Sequence, residues 1–299
     1  MSNWGDTLVK RHAAFGAFVV ASIIPLWKTI HALVSYSMEQ ESSSHIVLIP
    51  FVSLALIYVE REKIFRTARS SPIPGLTLAL AGAALYGLGG RSSWAAGGNS
   101  FLSAAALSLV LLWTGGFLLC YGNQAARCAI FPLMFLLLMI PLPDAILGRT
   151  IYLLQEGSTD LSYLLFKATG TPVLRQGFFL SVPGVTIEVA QECSGIRSTI
   201  ALFITCLLAA HLFLKTSWRK LYFILLAFPL AIIKNGIRIT TLTLLSLYVD
   251  PGFLTGKLHH EGGFVFFLVG LIILAPVLLM LQRSESHDGR SETPAVAEG

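Results

Sequence analysis

Along most of this chain apolar residues follow one another without the polar alternation of a half-buried surface element. Runs at about 13–36, 45–60, 73–90, 101–120, 128–142, 194–214, 221–248 and 262–281 are separated by short polar or basic stretches. About 20 apolar residues at a rise of ~1.5 Å each cover a hydrocarbon core of ~30 Å. Each run therefore predicts a membrane-spanning helix, about eight in all. A membrane barrel would need segments of about ten residues with alternating polarity. The runs are continuous, so the expected fold is an all-α polytopic membrane protein.

One long stretch breaks the pattern. Residues 144–191 mix polar and apolar positions. In the first part, 146–168, Ile151, Leu154, Leu161, Leu164 and Leu165 recur at helical spacing among Gln155, Glu156 and Asp160, which predicts an amphipathic helix lying at the interface or against the bundle. The second part, 172–189, is rich in Val, Phe and Thr and is broken at Gly177 and Pro183-Gly184, which predicts a small hairpin. The seventh helix is expected to be interrupted at Pro229 and at Lys234-Asn235-Gly236. Residues 1–281 are read as a single transmembrane bundle, with an outer-face segment at 144–191 and motif-bearing helices at 193–281, followed by a polar, disordered tail at 282–299.

Composition excludes a water-soluble fold: of 299 residues 55% are hydrophobic and 12% charged, against about 25% charged in ordinary soluble domains. The net charge of +5 does not point to nucleic acid, because the basic residues mark helix ends rather than a polar domain. With loops assigned alternately, 12 of the 21 basic residues fall on one side and five on the other, with Lys28, Arg197, Lys234 and Arg238 inside helices. The richer side is cytoplasmic under the positive-inside rule. Both termini are then cytoplasmic, the 144–191 segment faces outward, and the expected location is the cytoplasmic (inner) membrane. The first apolar run, which lacks an evident cleavage site, is read as a retained signal anchor.

Candidate chemistry concentrates on the outer face. Cys193 stands at the N-terminal end of the sixth helix, where unpaired N–H groups and the helix dipole favour a thiolate. Arg238 follows Lys220 by 18 residues, roughly 27 Å of helix at ~1.5 Å per residue, which brings it from the inner face to the outer boundary. An intramembrane guanidinium is costly and points to function. His259 and His260 precede the eighth helix on the same face and titrate near neutrality when unperturbed. Cys120, Cys128 and Cys206 read as packing residues. No Cys/His spacing suggests a metal, and no cofactor is expected.

The motifs Glu192-Cys193-Ser194-Gly195-Ile196-Arg197, Asn235-Gly236-Ile237-Arg238-Ile239 and His259 followed by Gly263-Phe264 resemble those of the exosortase/archaeosortase family of membrane cysteine transpeptidases. The likeness extends to Ser44-His45 with its basic loop and to Pro141-Leu142-Pro143, and covers most of 40–270. It implies catalytic roles for Cys193, Arg238 and His259, with His260 as the alternative histidine and Arg197 and Asn235 in support. It implies cleavage through a Cys193 thioester and transfer to an acceptor. The implied partners are exported, membrane-anchored proteins with a C-terminal sorting signal of the PEP-CTERM kind: a short motif, a membrane helix and a basic end.

Two other classes compete. A transporter would use broken helices near the midplane, for which Lys234-Asn235-Gly236 is the candidate. A noncatalytic export or assembly scaffold would leave Cys193 without a chemical role. Glu188, Glu192, His45 and Asp144 are weaker candidates, for tuning the site or lining a cleft.

Overall fold

The computed structural model describes residues 2–66, 68–92, 99–191, 194–254 and 263–291. The chain divides into two compact units, residues 1–147 and 148–299.

The first unit is built from α1 (Ser2–Glu39), α2 (Ile49–Val59), α3 (Arg61–Phe65), α4 (Pro72–Ser92), α5 (Ser100–Cys128) and α6 (Ile130–Phe135). α4 and α5 pack backbone to backbone. A Cβ at Gly115 would lie 2.6 Å from the Ala79 nitrogen, and one at Gly75 2.6 Å from the Leu119 nitrogen. This is the close approach that the Gly- and Ala-rich third run predicts. Where the chain from 68 to 71 runs beside the end of α5, the Arg69 N–H donates to the Tyr121 carbonyl (2.9 Å). There α5 kinks at Gly122, whose φ of 82° favours glycine.

An aromatic cluster fills the core of this unit: Tyr121 lies 4.7 Å from both Phe65 and Phe117, ring centre to ring centre. The Pro141-Leu142-Pro143 segment is pinned by its carbonyls. Asn99 Nδ2 donates to Leu142 (2.7 Å) and Ser103 Oγ to Pro141 (2.8 Å). His45 and Asp144 bind backbone within the same unit, His45 Nε2 at the Leu138 carbonyl (3.2 Å) and Asp144 accepting from the Asn99 N–H (3.3 Å). Burial lowers the His45 pKa from its ordinary 6.5, against the opposing pull of the Leu138 hydrogen bond.

The second unit contains most of α7 (Asp144–Ala168), then β1 (Leu174–Gln176), β2 (Phe179–Val182) and β3 (Val185–Glu188), and then α8 (Ile196–Phe213), α9 (Ser217–Leu225), α10 (Ala227–Tyr248) and α11 (Gly263–Ser291). The expected hairpin is a three-stranded antiparallel meander, with Leu174 opposite Ser181 and Phe179 opposite Glu188. It turns at Gly177 and Gly184, both at positive φ. Its apolar face, Leu180 and Val182, packs with Phe166 of α7 and Ile239 of α10.

Three expectations change in detail. α7 buries a largely polar stripe, Gln155, Ser158, Thr159 and Ser162 between Leu154 and Phe166, while Leu153 and Leu164 face outward. Its buried face is thus mixed rather than apolar, and its exposed face carries Asp160 and Lys167 beside those leucines. α10 runs unbroken through Lys234-Asn235-Gly236, and the break falls at Leu226, between α9 and α10. The reason is Pro229: it has no N–H for the Leu225 carbonyl and its ring crowds that group.

The third change is at the C-terminal end, where α11 continues to Ser291, so the first residues expected in a disordered tail are helical. Glu285 holds them by accepting from the Lys215 and Thr216 N–H groups (2.9 and 2.8 Å) at the open N-terminus of α9.

All eight apolar runs contain helix, and among the described residues five helices are long and apolar enough to cross a membrane: Thr7–Glu39, Ser100–Cys128, Ile196–Phe213, Ser217–Tyr248 and Gly263–Ser286. A sixth is counted if the bent pair Ile130–Met139 and Asp144–Ala168 forms one span, and Ile49–Val59 and Pro72–Leu88 are shorter apolar helices. Large apolar side chains such as Ile24 and Ile272 are more than 70% exposed, as lipid-facing residues are.

Candidate active site

The polar centre of the second unit is assembled on α10 by two adjacent residues of its buried face. Lys234 and Asn235 are each 1% exposed. α7 reaches this face closely because glycines meet leucine and isoleucine there. A Cβ at Gly236 would fall 2.8 Å from Leu161, and one at Gly157 2.8 Å from Ile232. Across that contact Asn235 Nδ2 donates to Ser158 Oγ (3.0 Å), and Ser162 Oγ donates to the Gly236 carbonyl (3.3 Å).

The other side of α10 meets the start of α8. Gly195 is the N-cap of α8, in the left-handed region at φ 71° and ψ 22°. The helix therefore starts from a glycine turn. A Cβ at this glycine would lie 3.0 Å from Asn235 Oδ1. The Gly195 carbonyl accepts from Ser198 Oγ (3.0 Å), Thr199 Oγ1 (2.9 Å) and the Thr199 N–H (2.9 Å). Lys234 Nζ donates to Ser198 Oγ, so one chain of hydrogen bonds joins the buried amine to the turn. Ser194 is fully buried, and its hydroxyl has no hydrogen-bond partner among the described residues.

Upstream, the same loop is held at Val189. Its N–H donates to the Phe178 carbonyl (2.9 Å) and its carbonyl accepts from Gln155 Nε2 (2.8 Å). Cys193 and Glu192 lie outside the described residues, as do His259 and His260. The residues flanking Cys193 are thus tied to the sheet on one side and to α10 on the other.

Arg238, one helical turn beyond Asn235, is half-buried. Arg197 is exposed on the first turn of α8. Of the sequence-predicted residues that are described, the fold joins the cysteine-motif turn at Gly195 to Asn235 of the arginine motif. Sequence reasoning gave Ser198 and Ser158 no role, and it placed Lys234 only in an expected helix break. An ionisable side chain inside an apolar helix was the available signal for Lys234, the same one that marks Arg238. Ser158 carried none, being one hydroxyl among several on a mixed helix. Among the described residues no three His, Cys, Asp or Glu side chains are grouped to hold a metal ion, and Cys120, Cys128 and Cys206 are free thiols.

Apolar helices around a buried Lys, Asn and Ser cluster define an integral membrane protein with a polar site inside its helical layer. The model of the transmembrane exosortase family matches residues 27–276, and the chain belongs to that family. No curated protein matches it, and no solved structure does.

Proposed function

We propose that this exosortase-family protein is a membrane cysteine transpeptidase acting on the C-terminal sorting signals of exported proteins. The observation that carries the reading is the family match across 27–276, which spans all three motif segments. The contact of Gly195 with Asn235 supports it, because it brings the cysteine motif to the helix that bears Arg238.

In this reading the Cys193 thiolate attacks the scissile carbonyl of the signal and forms a thioester. The C–N bond breaks, and His259, or His260 in its place, gives a proton to the leaving amine. Arg238 stabilises the developing oxyanion or the thiolate. An acceptor amine then attacks the thioester, giving its proton to that histidine, forming the new amide and returning the sulfur as thiolate. Lys234, Ser198 and Asn235 act through the Gly195 turn as positioning residues. The reaction takes place at the outer boundary of the cytoplasmic membrane, next to the substrate's own helix.

The transporter reading loses its broken helix, because α10 is continuous at 234–236. The test is processing of a tagged, membrane-anchored substrate carrying such a signal, followed by gel shift and mass spectrometry with the intact protein and with Cys193→Ala. The expected result is no cleavage by Cys193→Ala at normal membrane levels, and a trapped thioester in an Arg238 or His259 variant. Undiminished cleavage by Cys193→Ala would overturn the mechanism.

A further inference from the structure

A cavity of about 1300 Å³ opens in the first unit between α1, α2, α3 and α5. It exceeds the ~300–1,000 Å³ usual for small-molecule pockets. Its walls are apolar over most of their length, with Phe15, Ile57 and Phe117 among them. One end carries Arg61, Lys63 and Arg66, all exposed, against one carboxylate, Glu62. That end is fixed in place: Arg61 stacks on Tyr58, 4.4 Å from the ring centre, and Ile64 and Phe65 of the same short helix are buried in the aromatic core.

An apolar slot closed at one end by excess positive charge matches a molecule with hydrocarbon chains and an anionic head. We infer that this cavity is a binding site for an anionic phospholipid of the cytoplasmic leaflet, with its phosphate at Arg61, Lys63 and Arg66 and its acyl chains along Phe15 and Ile57. Basic pockets between helices on the cytoplasmic side bind such headgroups, and each basic group near an anionic surface contributes about 1 kcal/mol, roughly fivefold in affinity. The positive-inside asymmetry assigns this end to the cytoplasmic leaflet. Charge also argues against a sorting-signal helix as occupant, since its basic end would meet like charge.

The test uses the full-length protein exchanged into micelles containing equimolar phosphatidylglycerol and phosphatidylcholine, with bound lipid read by native mass spectrometry. Phosphatidylglycerol is expected to be retained over phosphatidylcholine by roughly tenfold or more. The Arg61→Gln/Lys63→Gln/Arg66→Gln variant is expected to lose that preference. A charge-matched Lys215→Gln/Lys220→Gln/Arg283→Gln variant keeps it. Gly16→Leu provides a test without charge change: Gly16 lines the cavity and a Cβ there meets nothing within 4 Å, so the leucine enters the slot and not its neighbours. It is expected to expel lipid while the melting temperature holds. Equal retention of the two lipids, equal losses in the two triple variants, or undiminished binding in Gly16→Leu would each overturn the site.

Discussion

Asn235 of α10 occupies the space into which a side chain at Gly195 would project, with its Oδ1 3.0 Å from that position. Torsion and space therefore coincide at residue 195, where φ is 71°. Gly195→Ala is expected to lose roughly 1–2 kcal/mol from the left-handed backbone alone, plus the cost of moving Asn235. Gly195→Asn, which tolerates the torsion better, should be no improvement because its side chain is larger. Asn235→Ala should restore part of the melting temperature of Gly195→Ala but none of its processing. Melting in detergent and substrate processing, measured side by side, check both statements.

Lys234 and Ser198 act as one unit, since the buried amine reaches the Gly195 turn through the serine hydroxyl. Lys234→Met keeps the volume and removes a buried polar group, a change that folding tolerates. The expected outcome is near-normal membrane level and melting with turnover reduced on the order of 10–100-fold, the scale of lost supporting contacts in a site. Ser198→Ala should behave alike, and the double variant should be no worse than either single one. Additive losses of turnover would separate the two residues.

Backbone contact between α4 and α5 makes Gly115 intolerant in a way that Gly87 is not. At Gly115 a Cβ meets the Ala79 backbone at 2.6 Å, whereas at Gly87 it meets nothing within 4 Å. Gly115→Ala is expected to lower stability by about 1–3 kcal/mol. Gly87→Ala should be neutral or slightly stabilising through helix propensity. Thermal melting of the two variants in one detergent decides this.

His45 gives stability a pH dependence of known sign. Burial holds its folded-state pKa below 6.5, so the unfolded chain takes up a proton that the folded one resists. Stability contributed by the neutral imidazole is complete above about pH 6.5 and is lost as pH falls below it. Melting between pH 7.5 and 5.5 should therefore drop for the intact protein, and less for His45→Gln.

Continuous apolar runs made the long helices legible, because a lipid-facing helix needs only length and hydropathy to be seen. α7 was legible as a helix but not in its facing. Leucines on an interfacial helix suggest an inward apolar side, whereas here Ser158 and Ser162 turn inward to Asn235 and Gly236. The triplet Lys234-Asn235-Gly236 reads locally as a helix breaker, yet each residue faces a partner supplied by a distant segment. Gly236 meets Leu161, Asn235 meets Ser158, and Lys234 meets Ser198. Local propensity carries no record of partners so far away in the chain, and for that reason the motif residues could be named while the cluster beneath them could not.

The polar stripe of α7 also sets a timetable for biogenesis. Its hydrogen-bond partners on α10 lie 77 and 74 residues later. At ~5–20 residues per second a ribosome needs roughly 4–15 s to supply them. During that interval the hydroxyls of Ser158 and Ser162 have no α10 to meet. Lipid offers such groups no hydrogen bonds. Docking of this face of α7 is thereby tied to the synthesis of α10.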